Sequence, residues 1–491
     1  MSPSSPAGPR TAGPRTGATV TVLAAAGIVA ALMQTLVVPL IGELPELLGT
    51  SASNASWVLT VTLLTGAVAT PVIGRMGDLH GKRRLLLGCV ALLVTGSVIC
   101  GLSDSLAPMI VGRALQGIGM GIVPLGISTL RDVVPAERMG SSVALMSSSL
   151  GIGGALGLPL AAAVAENFDW HVLFWGSAAL SAVIGVALAR CVPTVPPTAR
   201  GRFDAPGALG LSAGLVALLL AVSKGADWGW GSATTVSLLA AGVVLLLAWG
   251  WFELRTTDPL VDLRTTARPQ VLVTNAVSVV VGFAMYAQSL VAPQLLQLPG
   301  QLGYGLGQSM LAAGLWMAPA GLAMMLFSPV GAKISARWGP RTSLLLGSLV
   351  IALGYGLGLV LMGSAPGILV TSCVISTGVA FAYGAMPALI MGAVPHSETA
   401  AANGFNSLMR AIGTSLSSAV IGVVLAQLTH SVGPYTFPTE NGFRVAYGLG
   451  AAVAVAAALL TLAIPRRTQS VPGLRTPAGQ EGEDDTAAAR A

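Results

Sequence analysis

Charge is what this chain has least of. Asp, Glu, Lys and Arg make up 9% of its 491 residues, against roughly 25% in a typical soluble domain. A soluble fold of this length lacks the charge to cover its surface, so the chain reads as lipid-embedded. Cysteine is also scarce: Cys89, Cys100, Cys191 and Cys373 are scattered over three predicted helices without ligand-like spacing. Neither a disulfide nor a metal site is expected, and these side chains read as small packing residues. The four histidines, His80, His171, His396 and His430, fall in loops or at span ends. With no nucleophile, metal cluster or carboxylate pair at membrane depth, the chain is not expected to be an enzyme or to use a cofactor. No Gly-x-x-x-x-Gly-Lys-Ser/Thr occurs, so ATP hydrolysis is unsupported as the power source. No non-helical stretch is long enough for a soluble domain.

What the chain has is apolar length. Hydrophobic residues are 54% of it, mean hydropathy is +0.79, and 62 residues are Gly. A hydrocarbon core of about 30 Å needs about 20 apolar helical residues. Candidate spans lie near 19–41, 55–74, 85–103, 106–128, 141–165, 172–191, 205–223, 233–252, 270–292, 308–331, 343–362, 367–394, 404–428 and 443–464. Barrel strands would alternate polar and apolar residues instead. The first run is longer than a secretory h-region of about 7–15 residues and reads as an uncleaved helix.

Residues 1–18 and 465–491 read as disordered cytoplasmic tails. Between them the plan is six, two, six: a bundle over 19–191, a linker over 192–204, two extra helices over 205–252, a second linker over 253–269 and a bundle over 270–464. Of the 25 Lys and Arg, Lys224 and Arg444 are predicted outside and Arg113 and Arg410 within spans; the rest lie in inner segments. The positive-inside rule therefore gives a multi-pass protein of the cell membrane with both termini cytoplasmic. It also accounts for the basic balance without a nucleic-acid partner. An internal repeat supports two parallel halves: Pro71-Val72 leads to Gly81-Lys82-Arg83, and Pro329-Val330 leads at the same offset to Gly339-Pro340-Arg341. In transporters so built, substrate is held between the halves. Ala336 stands in the second copy where Asp78 stands in the first.

The turn after the second span reads Gly74-Arg75-Met76-Gly77-Asp78-Leu79-His80-Gly81-Lys82-Arg83-Arg84. Glycines at both ends permit a sharp turn between close helices. Asp78 is placed where a helix N-terminus, or an Arg, can hold it as a latch. The fourth span carries Arg113-Ala114-Leu115-Gln116-Gly117-Ile118-Gly119, and an Arg at membrane depth costs about 2.5–3.5 kcal/mol unless it faces a partner or a wet cavity. The fifth carries Gly151-Ile152-Gly153-Gly154-Ala155-Leu156-Gly157-Leu158-Pro159. The first stretch resembles the signature loop of the major facilitator superfamily, the second its Arg-x-x-Gln-Gly motif. The third resembles its Gly-Pro antiporter bend, here Gly153, Gly157 and Pro159, with Leu158 separating Gly from Pro and Ala161-Ala162 in place of a glycine pair.

Trp57, the Trp170–Phe174 stretch, Phe203-Asp204-Ala205-Pro206-Gly207, Pro259–Leu263 and Gly404–Gly413 with Arg410 resemble the superfamily's fourteen-helix drug:proton antiporters, close to actinobacterial efflux permeases. The resemblance spans about residues 20–465. It implies an all-α fold of two six-helix bundles plus two central helices, and multidrug or antibiotic efflux coupled to inward protons, with the bilayer as surroundings and a monomer as the unit. It assigns gating and coupling to Gly74, Asp78, Gly81, Arg83, Arg113, Gln116, Gly117 and Asp132, with Arg113 coupled to Asp78; a plain Arg snorkelling to the inner face is the alternative.

One departure stands out. The family's first helix carries Leu-Asp-x-Thr, but Leu32-Met33-Gln34-Thr35 has no acid here. None of the 19 acidic residues falls in the middle third of a predicted span. Coupling is left to Asp78, Asp132 or an outer-end carboxylate, and the chain has no mid-membrane anion to await a cationic drug. Asn275, Ser278, Gly282, Tyr286 and Ser289 recur on one face of the ninth helix. With Met33, Gln34, Met120, Trp316, Ser376, Phe381 and Tyr383 they form a candidate cavity suited to small hydrophobic compounds, although each polar residue serves helix packing equally well. The chain is therefore expected to export small hydrophobic compounds. The alternative is a proton-independent facilitator or an importer of a small metabolite.

Overall fold

The computed structural model describes residues 14–465, apart from 39, 41–42 and 433–434. The expected tails thus lie outside the described residues, except that residues 14–18 already belong to the first helix. Among the described residues, fourteen helices are long and apolar enough to cross a bilayer. We number them α1 (Pro14–Thr35), α2 (Trp57–His80), α3 (Lys82–Gly101), α4 (Leu106–Val133), α5 (Ala136–Asn167), α6 (His171–Cys191), α7 (Ala205–Trp228), α8 (Ala233–Glu253), α9 (Pro269–Gln297), α10 (Met310–Trp338), α11 (Pro340–Leu361), α12 (Ala365–Met391), α13 (Thr399–Gln427) and α14 (Glu440–Leu462). A hairpin of β1 (Thr429–Val432) and β2 (Tyr435–Pro438) joins α13 to α14.

Local chemistry sets many of these starts. Side-chain oxygens of Asp204, Ser232, Ser309, Ser364 and Thr439 accept from the first-turn N–H groups of α7, α8, α10, α12 and α14, which have no intrahelical acceptor of their own. The expected spans are found, but α2 and α10 run on to His80 and Trp338 rather than ending near 74 and 331, and three further differences stand out. The first helix stops at Thr35 rather than near 41. The fourth is two helical segments that meet at Met120 and Gly121. Lys224, expected in an outer loop, is buried within α7, where it pairs with Asp227 at 3.0 Å and lies over the Trp57 ring.

Among the described residues, three larger apolar cores and a small one around Val271, Ile390 and Val394 organise the molecule. The first comes almost wholly from α1–α6, with Leu23, Val29, Leu86, Leu93, Met109 and Leu125 buried. The second comes from α9–α14, around Val281, Val291, Leu344, Tyr355, Phe443 and Tyr447. In the third, Leu211 and Leu215 of α7 meet Ala67 of α2 and Leu408 of α13. The extra pair α7–α8 thus packs where the two halves meet, while α8 turns Val244 and Leu247 outward, 63% and 70% exposed. In lipid such a face carries no penalty, since hydrocarbon is as apolar as Leu.

Candidate functional site

The basic end of the bundle is where sequence singled out Asp78, and it is closed. No loop separates α2 from α3: Gly81 alone makes the turn, at φ 95°. Gly339 makes the equivalent turn between α10 and α11 at φ 86°. A side chain rarely adopts that conformation, so Gly is required at both copies of the repeat. The sharp turn expected from two glycines therefore rests on Gly81. Gly74 lies a full turn inside α2 and has a packing role: a Cβ there would sit 2.4 Å from the carbonyl oxygen of Ala400.

That close approach brings the N-terminus of α13 onto Asp78. Backbone N–H groups of Ala400 and Ala401 each donate to its carboxylate at 3.0 Å, and the Thr198 hydroxyl donates at 3.3 Å. Asp78 is completely buried, with Lys82 at 3.8 Å. Its backbone carbonyl also accepts from Thr198 and Ala199, which staples the linker after α6 to the same point. An anionic side chain satisfying the orphan donors of a long helix is favoured by both hydrogen bonding and the helix dipole. Nearby, Lys82 donates to Asp132 at 2.9 Å, His396 stands 3.4 Å from Asp132, and Arg131 donates to the Thr399 hydroxyl at 2.6 Å. Asp78, Arg131 and Asp132 of the first half thus meet residues 396–401, at the start of α13, at the basic end.

Arg113 is elsewhere. It is 1% exposed, and donates from Nε to the Val58 carbonyl at 3.2 Å and from Nη1 to the Met33 carbonyl at 2.8 Å and to Gln116 Oε1 at 2.6 Å. Gln116 passes the network on to Ser97 at 2.8 Å. Arg113 thus neither pairs with Asp78 nor snorkels to the basic end. It ties α1, α2 and α4 together, with Gln116 adding α3. Gly117 permits this contact, since a Cβ there would lie 2.4 Å from the Thr62 carbonyl. Arg83 is also an internal tie. It donates to Thr194 at 2.7 Å and to the Ala189 carbonyl, closing the end of α6. Arg341, its counterpart in the repeat, does the same for α14 through the carbonyls of Thr461 and Leu462.

On α5, Gly153 and Gly157 face α1: added Cβ atoms would stand 2.5 Å from Ala31 Cβ and within the Thr35 hydroxyl. Pro159 lies against Gly314 of α10. Ser147 of α5 donates to the Tyr383 carbonyl at 3.1 Å, and Ser328 of α10 donates to the Ala144 carbonyl at 2.7 Å. These bonds join the halves along α5.

The candidate cavity residues do not form one group. Met33 packs into the first-half core, with its sulfur toward Ser97. Phe381 lies against Gly331 of α10 inside the second half. Gln34 and Met120 do meet, amide to sulfur at 2.9 Å. Asn275 and Ser278 accept from Asn406 of α13 at 2.9 and 2.7 Å. Asn275 also borders a cavity of about 250 Å3 at the basic end, walled by Arg75, Arg200, Asp258, Asp262 and Glu398. Tyr286 is hydrogen-bonded to Ser418, Trp316 donates to Gln308 at 3.2 Å, and Ser376 is half-buried. Tyr383 donates to the Met285 sulfur at 3.2 Å and carries the Arg410 guanidinium over its ring at 4.9 Å. Sequence reading passed over Asn406; its i, i+4 spacing to Arg410 inside an apolar span was the available signal. Asp169, in the turn between α5 and α6, is exposed; the backbone N–H of His171, bonded to it at 2.8 Å, holds its carboxyl below the usual carboxylate range.

The sequence model of the Major Facilitator Superfamily matches residues 23–418 and, in a second match, 277–483. The chain belongs to the major facilitator superfamily. It is a multi-pass membrane protein of that superfamily. The MFS-type transporter Rv1877 of Mycobacterium tuberculosis is 33% identical over 314 residues, which is 64% of this chain and 45% of that protein. The chain thus spans less than half the length of this relative. Multidrug resistance protein Stp of the same organism is 29% identical over 377 residues, 75% of this chain and 68% of its own. Among solved structures, the human organic anion transporter MFSD10 superposes with a TM-score of 0.66 at 16% identity, covering 91% of this chain and 100% of that one. That likeness carries the fold: two six-helix halves with the major facilitator arrangement, here with two further helices.

Proposed function

We propose that this facilitator exports small hydrophobic compounds across the plasma membrane, as a monomer with cytoplasmic termini, by alternating access driven by inward protons. The observation that carries the reading is the Asp78 carboxylate of one half bound to the N-terminal amides of α13 in the other. Each charge-assisted bond of this kind is worth about 1.5–3 kcal/mol, and both must break before the basic ends separate. A carboxylate that is bound when the end is closed and wetted when it opens is also able to take up a proton in between, as coupling requires. Gly74 and Gly81 set the approach and Asp132 shares Lys82 with Asp78; Arg113, Gln116, Gly117 and Arg83 hold the half rigid while it moves. Names such as multidrug resistance protein among the relatives support small-molecule export. The test is proton-dependent efflux of a fluorescent dye by inverted vesicles. Dye movement that is unchanged by an uncoupler would overturn proton coupling. A facilitator or importer is the second reading, favoured by the lack of any acid at mid-span.

A further inference from the structure

Two arginines lie within the predicted membrane depth, and they differ in what surrounds them. Arg113 is sealed into a helix contact. Arg410 is only half-buried. It sits ten residues along α13 from Ala400, about 15 Å at the helical rise, or half the hydrocarbon thickness. Its guanidinium donates to Asn406 Oδ1 and Ser407 Oγ, both at 2.8 Å, and is hydrogen-bonded to the Tyr383 hydroxyl above whose ring it lies. Every one of these partners is neutral. Arg410 takes part in none of the ion pairs among the described residues, and no acidic residue of the chain occupies the middle of a span.

The group is also held in place. Asn406 is anchored by Asn275 and Ser278 of α9, and Tyr383 by Met285. A guanidinium has five N–H donors in a fixed fork, so donors remain after these partners are served. A positive charge at this depth is costly to hold without a counter-ion, and a bound anion recovers part of that cost. The Tyr383 ring lies under the charge and the Met285 thioether meets its hydroxyl, surfaces that suit an apolar ligand body.

We propose that Arg410, aimed by Asn406 and Tyr383, is the binding site for the negative group of the substrate, so that apolar organic anions such as arylcarboxylates are a preferred class. The site is a binding claim about this chain; only its use in transport rests on the export reading. Three dansyl probes of one apolar body separate the charges: dansylglycine (anion), dansylglycinamide (neutral) and dansylcadaverine (cation). Their fluorescence on binding is titrated with the full chain in nanodiscs. The wild type is expected to bind dansylglycine about tenfold more tightly than the other two, about 1.4 kcal/mol. R410Q should lose that preference while keeping its affinity for the amide, which reports a folded site. R410K should keep part of the preference, since charge survives and the fork does not. Equal binding of all three probes by the wild type would overturn the proposal, as would an anion preference that survives in R410Q. Should R410Q bind neither probe, R410K decides, and loss of the preference there counts against the site. Efflux of the neutral amide is read separately. Its absence with the anion preference intact would sink the export reading and leave the anion site standing.

Discussion

At the scale of single residues, a carboxylate and a guanidinium that sequence reading joined have separate tasks. Asp78 reaches across to the other half, whereas Arg113 reaches only within its own. Asp78→Asn keeps one acceptor but turns an NH2 toward the α13 amides and removes the anion from the helix dipole. We expect proton-driven dye efflux by inverted vesicles to fall about tenfold, the effect of about 1.4 kcal/mol at one step, with reagents at the basic end gaining access to α13. Unchanged efflux would remove Asp78 from the gate. Arg113→Leu leaves the Met33 carbonyl and the Gln116 amide oxygen unpaired, at about 1–3 kcal/mol each. It should lower the thermal midpoint of the detergent-solubilised chain without moving the pH dependence of whatever efflux remains. A shifted pH profile would restore Arg113 to the proton path. The position of Asp78 was legible from the motif spacing, which left a helix end or an Arg as its partner; packing brings it the α13 amides. The partner of Arg113 was not, because α1 and α2 are brought to it only by packing.

At the scale of helices, the α2–Gly81–α3 turn and its repeat were readable from paired Pro and Gly offsets, as was the helix count from apolar run lengths. The α7–α8 pair was readable as two spans, but its closing contact was not. Asp204 Oδ2 and Glu253 Oε2 are both buried without another partner. A Cβ on Gly207 would stand 2.1 Å from one and 2.8 Å from the other, so the two oxygens share one small space. Two ionised carboxylates repel there; a single proton between them removes the repulsion and satisfies both atoms. The remaining Glu253 oxygen accepts from Val261 N–H at 2.7 Å, tying the loop after α8 to the pair. Glu253→Gln supplies an N–H able to bridge the two oxygens and should leave the thermal midpoint nearly unchanged. Glu253→Ala strands the Val261 amide and Asp204, and should cost about 2–4 kcal/mol as two orphaned groups. Equal destabilisation by Gln and Ala would mean that no proton is shared. Residues 49 positions apart in sequence gave no local sign of this meeting.

At the scale of the molecule, the six-two-six order followed from span counting and the repeat, whereas the division of polar residues between core and interface did not, because periodicity assigns a face but not the neighbour it meets. Met33 and Phe381 have cavity-like chemistry and lie in the cores of their own halves, while small serines on α5 and α10 supply bonds that join the halves away from Asp78. If transport proceeds by rocking of the two halves, those contacts must part in every cycle. A Cβ at Gly384 of α12 would lie 4.0 Å from Ala144 Cβ of α5, within the Cβ separation of about 3.5–4.5 Å that a disulfide requires. The pair Ala144→Cys and Gly384→Cys, in a background with Cys191 and Cys373 replaced by Ser, should therefore oxidise readily in vesicles. Oxidation should abolish dye efflux and reductant should restore it, with either single cysteine indifferent to both treatments. Efflux that continues at full rate through a completely formed cross-link would show that α5 and α12 move as one body, and the hinge would then have to be sought between α2 and α13 instead.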